Sequence, residues 1–452
     1  MREVSIRDTM SGDRRVIDPT GQVGIYACGP TVYSRIHIGN ARPFVVFSLL
    51  SRFLKSEGYD TRLAINVTDI NDKIYTAAAE RGIPSSELAE EMTRAYFEDT
   101  GRLGLGRPDA EPLATEMVKP IVELIETLVD DGHAYESGGD VYFSVRGFDG
   151  YGKLSHRSPD DMEQGEGDDA GSLKRDRLDF ALWKTHKEGE DTFWESPWGR
   201  GRPGWHIECS AMAEAELGEL PFAIHGGGSD LVFPHHENEI AQSEAARGKP
   251  LAKVWMHNGM IETDATKMSK SDGNIFQLSE AIDTYGAEAV VSYLVSGHYR
   301  QPLAFGEGPL EEAVARVDRL RNFLREHGTE GTPGDVAAAA VERFRDALAD
   351  DFNTPRAMVE VFDLVRRANQ EEVPGAGAAL AEMLGLVGLE SLAEDSSDGP
   401  PQEALDLLAD RVRARADRDF EKADRLRDEL MALGWDVRDG SEGATLISRP
   451  DR

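Results

Sequence analysis

The chain has 452 residues, 40% of them hydrophobic and 29% charged, enough for about three domains that each bury a core. No apolar run approaches the roughly 20 residues of a membrane span, the opening MREVSIRDTMSGDRR lacks the apolar segment of a signal peptide, and two cysteines cannot form a disulfide framework, so a cytoplasmic protein without a membrane partner is expected. The formal net charge of -33 argues against a nucleic-acid partner at ordinary ionic strength, because polyanions are held by Lys and Arg that displace counterions.

Residues 1–107 read as short strands alternating with helices: a strand at GIYACG, helical apolar spacing over Ala41–Lys55, then a strand at RLAINV. That pattern is the first half of a doubly wound, Rossmann-like parallel sheet. Residues 108–200 read as an α/β insertion, with a helical stretch ATEMVKPIVELIETLVDDG, a strand pair around AYESGGDVYFSV and an acidic, Gly-rich loop SPDDMEQGEGDDAGS. The sheet is expected to resume over 201–257, followed by a lysine-bearing loop and helices in 258–310. Helical periodicity over 311–392 predicts a bundle, the Ser/Asp/Gly/Pro stretch 393–401 a linker, and 402–452 a small C-terminal module. Within that module Arg411–Leu430 reads as one Arg-studded helical region, followed by Trp435 and a strand at ATLISR.

Three clusters carry chemistry. Cys28 and Cys209 are the only cysteines, and beyond the second lies Pro234-His235-His236-Glu237-Asn238-Glu239. If Pro234 opens a helix, His235 and Glu239 fall one turn apart on one face, and two thiolates, an imidazole and a carboxylate could share one zinc-type metal. Two buried free thiols beside a polar helix start would give the same sequence. The second cluster, His37-Ile38-Gly39-Asn40, sits where a strand and its Gly/Pro turn meet a helix, and helix N-termini attract phosphate. The third is TKMSKSDGN (Thr266–Asn274), whose Lys267 and Lys270 could grip a polyphosphate, although such clusters are commonly solvated loops.

Taken together, CGPTVYSRIHIGNAR, NVTDINDK, RPGWHIECSAM, HGGGSDLVFPHHENE, TKMSKSDGN, SGHYR, DDFNTP and FEKADRLRDEL resemble, in order and over nearly the whole chain, the cysteinyl-tRNA synthetases of class I, with their HIGH and KMSKS signatures. One departure is Asn40, where most of the family has His; its amide still offers a donor to a phosphate or ribose oxygen. The resemblance implies one zinc per chain on Cys28, Cys209, His235 and Glu239, ATP with Mg²⁺, L-cysteine and tRNA(Cys) as partners, and a monomer. It further implies catalytic roles for His37, Asn40, Lys267 and Lys270, and substrate or ATP contacts from Gly29, Pro30, Thr31, Thr68, Trp205, Asp230 and Lys270. By the same resemblance 108–200 is the connective insertion, 258–310 contacts the acceptor stem, and 402–452 binds the anticodon. His225 and His236 are candidates for orienting the metal ligands or for purely structural roles.

A related ligase that joins cysteine to a glucosamine-inositol in mycothiol synthesis is the rival reading; it has no use for an anticodon module. The acid excess also has a resolution. Beyond Lys270 the only lysine is Lys422, while arginines stay plentiful, a balance that suits high salt, where screening shortens repulsion to about 3 Å at 1 M. A halophilic source is therefore expected, with tRNA held by local arginines, shape and base contacts.

Overall fold

The computed structural model describes residues 1–161, 173–263, 266–267, 276–394, 401–416, 419–440 and 443–448. They divide into two compact units, Met1–Ser279 with Leu294–Gly306 and Arg345–Ala357, and Glu280–Tyr293 with Glu307–Phe344 and Met358–Arg452.

In the first unit a small antiparallel pair, β1 (Ser5–Arg7) and β2 (Arg14–Val16), precedes a parallel sheet built from β3 (Val23–Ala27), β4 (Thr61–Ile65), β9 (Phe222–Gly228) and β10 (Ala252–Asn258). All five residues of β3 are buried, as a strand covered on both faces requires. The sheet order is β10-β9-β3-β4, and parallel bridges Ala64↔Ala110 and Val67↔Leu113 extend it beyond β4. The chain therefore runs outward from β3 to one side and from β9 to the other. A crevice opens where that order reverses, at the carboxyl ends of β3 and β9.

Helix α1 (Ile38–Ser56) lies against the sheet, with Phe44, Val45, Phe47, Leu50, Phe53 and Leu54 buried. Helices α2 (Asp72–Arg81) and α3 (Ser85–Gly101) follow β4, and α4 (Val118–Asp130), α5 (Trp205–Leu217) and α6 (Glu237–Arg247) share one core, in which Ile121, Leu124, Ile125, Ile207, Met212 and Ile240 pack with Tyr26. Each such aliphatic side chain contributes roughly 1.5–3 kcal/mol by leaving water. The inserted segment forms an antiparallel sheet ordered β5 (Ala134–Ser137), β6 (Asp140–Phe143), β7 (Phe180–Thr185), β8 (Gly201–Pro203). Its first hairpin turns at Gly138 and Gly139, both at positive φ (64° and 89°), the backbone that a two-residue hairpin loop demands. β8 pairs with β7 and runs directly into α5, so this sheet is continuous in sequence with the helix that carries Cys209. The greater part of the acidic loop, residues 162–172, lies outside the described residues.

Beyond β10 come β11 (Ile261–Thr263) and β12 (Thr266–Lys267), with β13 (Leu303–Ala304) parallel to β11. Helices α7 (Leu278–Tyr285), α8 (Ala287–Leu294), α9 (Glu307–His327), α10 (Asp335–Ala349), α11 (Thr354–Ala368), α12 (Ala376–Leu386) and α13 (Ser391–Glu394) follow. The C-terminal residues form α14 (Gln402–Ala416), α15 (Phe420–Ala432) and the hairpin β14 (Trp435–Gly440) with β15 (Gly443–Ser448). The Arg-studded region expected to be helical is so, and it is shared between α14 and α15. The Asp419 carboxylate accepts the Lys422 N–H at 3.1 Å and caps α15, a local signal that starts a new helix there. Among the described residues no helix is long and apolar enough to cross a membrane.

Candidate functional site

Cys28 follows β3 directly, and its N–H donates to the Gly226 carbonyl at 2.9 Å, which ties it to the end of β9. Cys209 comes from the second turn of α5, His225 from β9, and His235 with Glu239 from the entry to α6. That entry is the expected one: the backbone is extended at Phe233 and helical from Pro234 through His236 into α6, so Pro234 opens the helix. His235 and Glu239 meet on it, with Nε2 3.2 Å from Oε1.

The ligating atoms of Cys28, Cys209, His235 and Glu239 all lie within 4.8 Å of one another, as do those of Cys28, His225, His236 and Glu239. Cys28 Sγ is 3.5 Å from Glu239 Oε1 and 3.7 Å from His225 Nε2. Every one of these residues is buried. Burial pushes the Cys28 thiol well above its ordinary range, with Cys209 and Glu239 adding to it, and burial raises Cys209 as well. Burial also lowers His235, His206 and His257 to about 3, and His236 well below its usual value, so these imidazoles are neutral and offer lone pairs. Two buried sulfurs, a carboxylate and neutral imidazoles without a compensating positive charge are an unfavourable set, which a divalent cation relieves. The donor chemistry fits zinc.

Around the cluster the rings interlock. His206 and His235 meet Nδ1 to Nδ1 at 3.0 Å, and Trp205, 37% exposed, stacks on His235 with centroids 4.3 Å apart. His236 Nδ1 is 2.7 Å from His257 Nε2, whose Nδ1 is 2.8 Å from Thr9 Oγ1.

Through Cys28 the cluster reaches a cavity of about 400 Å³ lined also by Gly29, Pro30, Thr31, His37, Asn40, Trp205 and Asp230. Thr68 is buried beside it: its Oγ1 accepts from Asn66 Nδ2 at 3.2 Å, while Asn66 Oδ1 takes the Gly29 N–H at 2.9 Å. At the other end of the cavity α1 begins, with His37 in extended backbone as its N-cap. A Cβ on Gly39 would come 2.9 Å from two His37 ring atoms, so any larger residue there would displace the His37 ring. Asn40 Oδ1 accepts the His37 N–H at 3.3 Å, so this residue completes the helix start with its oxygen and keeps its NH₂ as a donor. The main chain of Lys267 pairs with Glu262 in β12, whereas Lys270 lies outside the described residues.

Residues that the sequence did not single out also matter. Asn66 joins Gly29 to Thr68, and His206 and His257 close the imidazole cluster. The strings NVTD and GWHIECS contain the first two, but only folding brings them to the Cys28, Cys209, His235 and Glu239 cluster.

Residues 16–315 match the model of the class I tRNA synthetase (C) catalytic domain, 343–389 the DALR domain, and 397–445 the cysteinyl-tRNA ligase anticodon binding domain. The chain is 44% identical to the cysteine–tRNA ligase of Geobacter metallireducens, over 97% of this chain and 98% of that one. To the cysteine–tRNA ligase of Chromohalobacter salexigens it is 45% identical, over 99% and 100%. Among solved structures, a Mycobacterium tuberculosis methionyl-tRNA synthetase bound by methionyl-adenylate has the same fold, with a TM-score of 0.63 at 16% identity over 83% of this chain and 93% of that one. These matches give no support to the mycothiol-type alternative.

Proposed function

The chain belongs to the cysteine–tRNA ligases of class I, and on that premise we propose that its buried Cys28, Cys209, His235 and Glu239 hold one zinc ion by which cysteine is selected. The observation that carries this is that the cluster reaches, through Cys28, the same cavity on which α1 begins. When bound, zinc supplies a Lewis acid that favours the substrate's sulfur as thiolate over the far less acidic hydroxyl of serine, so no separate editing step is required.

The protein's own groups do the rest. Trp205 walls the amino-acid end, with Gly29, Thr68 and Asp230 placed for the substrate's polar groups. The positive end of α1, with the Asn40 NH₂ and His37, takes the phosphates of ATP, which arrives with Mg²⁺. The cysteine carboxylate attacks the α-phosphorus, pyrophosphate leaves, and His37 with Lys267 and Lys270 stabilises the charge that grows on it. The 3'-terminal ribose hydroxyl of tRNA(Cys) then attacks the mixed anhydride and releases AMP, while the cavity limits access of water.

Residues 108–200 act as the connective insertion, 258–310 on the acceptor stem side and 402–452 on the anticodon. A monomer in the cytoplasm of a salt-adapted cell suits the lysine-poor, acidic composition. Substituting cobalt(II) tests the metal reading: a thiolate-to-cobalt charge-transfer band should appear, gain intensity on adding cysteine, and weaken in Cys209→Ser. A band indifferent to both would remove Cys209 from the ligand set.

A further inference from the structure

Arg42 lies on α1 two residues after Asn40 and is completely buried. Among the described residues, its hydrogen bonds to main-chain carbonyls reach one neighbourhood: Nη1 donates to the Gly259 oxygen at 2.5 Å and the Met260 oxygen at 3.3 Å, and Nη2 to the His298 oxygen at 3.2 Å. Gly259 and Met260, with Asn258, line the cavity together with His37, Gly39 and Asn40. The segment they form leads straight into β11.

That segment has no slack. The Gly259 N–H donates to the Tyr299 oxygen at 2.7 Å, and a Cβ on Gly259 would stand 2.4 Å from the Gln301 main chain. Met260 in turn accepts the Leu303 N–H at 2.9 Å. Behind it, the buried Asp351 accepts from the Tyr299 hydroxyl at 2.8 Å, the Arg300 guanidinium at 2.7 Å and the Arg7 N–H at 2.8 Å. Taking a guanidinium out of water is costly, and a planar fork that reaches carbonyls from two separate chain segments recovers part of that cost only while the geometry is kept. The fork thereby fixes the distance between the helix start that receives phosphate and the cavity wall at Gly259–Met260.

We propose that Arg42 is a positioning residue for the nucleotide end of the cavity, acting through the Gly259, Met260 and His298 carbonyls rather than by touching substrate. This rests on the reading that ATP occupies the α1 end. A lysine at 42 keeps the charge but presents a single ammonium that cannot span the same carbonyls.

Cysteine-dependent ATP–pyrophosphate exchange in the full-length enzyme tests it, using Arg42→Lys, Arg42→Met and, separately, His37→Ala. Arg42→Lys should raise KM for ATP about tenfold, the scale of one lost charge-assisted hydrogen bond. Its KM for cysteine and its zinc content should stay within about twofold of the parent, and Arg42→Met should show the larger defect in ATP. A rise in both KM values together with loss of zinc in Arg42→Lys would make the residue a general support of the fold and overturn the proposal. Unchanged KM for ATP in both Arg42 variants, with exchange lost in His37→Ala, would overturn the positioning role alone. Unchanged exchange in His37→Ala would instead remove the placement of ATP at this end, and the proposal with it.

Discussion

Gly29 stands between Cys28, a proposed metal ligand, and Pro30, and replacing it by alanine is the sharpest steric test of how the site is framed. The added methyl would lie 1.8 Å from the Asn66 carbonyl oxygen and 2.9 Å from its carbon, both main-chain atoms just beyond β4. No side chain can swing aside to relieve that, so the ends of β3 and β4 must part and the Gly29 N–H bond to Asn66 Oδ1, now 2.9 Å, must stretch or break. Overpacking costs about 1–3 kcal/mol, and a lost buried hydrogen bond about 1–3 kcal/mol. A total of roughly 2–6 kcal/mol lowers Tm by about 3–9 °C for a unit of about 300 residues. Calorimetry of the zinc-loaded protein should show that drop, together with zinc below one per chain and a raised KM for cysteine, because Cys28 moves with its neighbour. A Gly29→Ala enzyme with Tm within about 2 °C of the parent and an unchanged KM would refute the claim that the two strand ends are locked there.

Asn40→His should leave exchange within about tenfold, roughly 1.4 kcal/mol, because either side chain can donate to an ATP oxygen; a collapse would show that the Asn40 Oδ1 bond to the His37 N–H is indispensable. His257 is held at about 3 by burial, below its unfolded value of 6.5. The unfolded chain therefore binds the extra proton, and the stability this residue contributes is present above pH 6.5 and lost as pH falls toward 3. Between pH 7.5 and 5.5 the protein should lose about 1.4 kcal/mol through this residue, and His257→Gln should lose that much less in urea unfolding; identical pH slopes would contradict the burial argument. Deleting residues from about Pro400 onward should preserve cysteine-dependent exchange but sharply weaken charging of tRNA, while full charging by the truncated chain would remove the anticodon role from α14, α15 and the hairpin.

The grouping of Cys28, Cys209, His235 and Glu239 was legible because His235 and Glu239 are four residues apart in an evidently helical stretch and Cys28 and Cys209 are the only thiols. The start of that helix was legible as well: Pro234 is a frequent first residue of helices, and the backbone changes from extended at Phe233 to helical at Pro234. The helical character of 411–430 was legible from its periodicity, and Asp419 marks where α15 begins. Asn66, His206, His257 and Arg42 stayed hidden. Their partners are 37 residues away for Asn66 and Gly29, 29 for His206 and His235, and 217 for Arg42 and Gly259, separations at which local spacing carries no signal. Asn40 was read as a donor to substrate, and only the fold shows that its oxygen is already committed to the helix start.

The central claim is that one buried site of two thiolates, an imidazole and a carboxylate holds the metal by which cysteine is chosen. Zinc content and pyrophosphate exchange, measured side by side on the wild type and Cys209→Ser with cysteine and with serine, test it most directly. The account predicts about one zinc per chain in the wild type with exchange supported by cysteine and not by serine, and in the variant loss of both the zinc and the cysteine-dependent exchange. Stoichiometric zinc in Cys209→Ser, or full cysteine-dependent exchange from protein stripped of zinc, would contradict it.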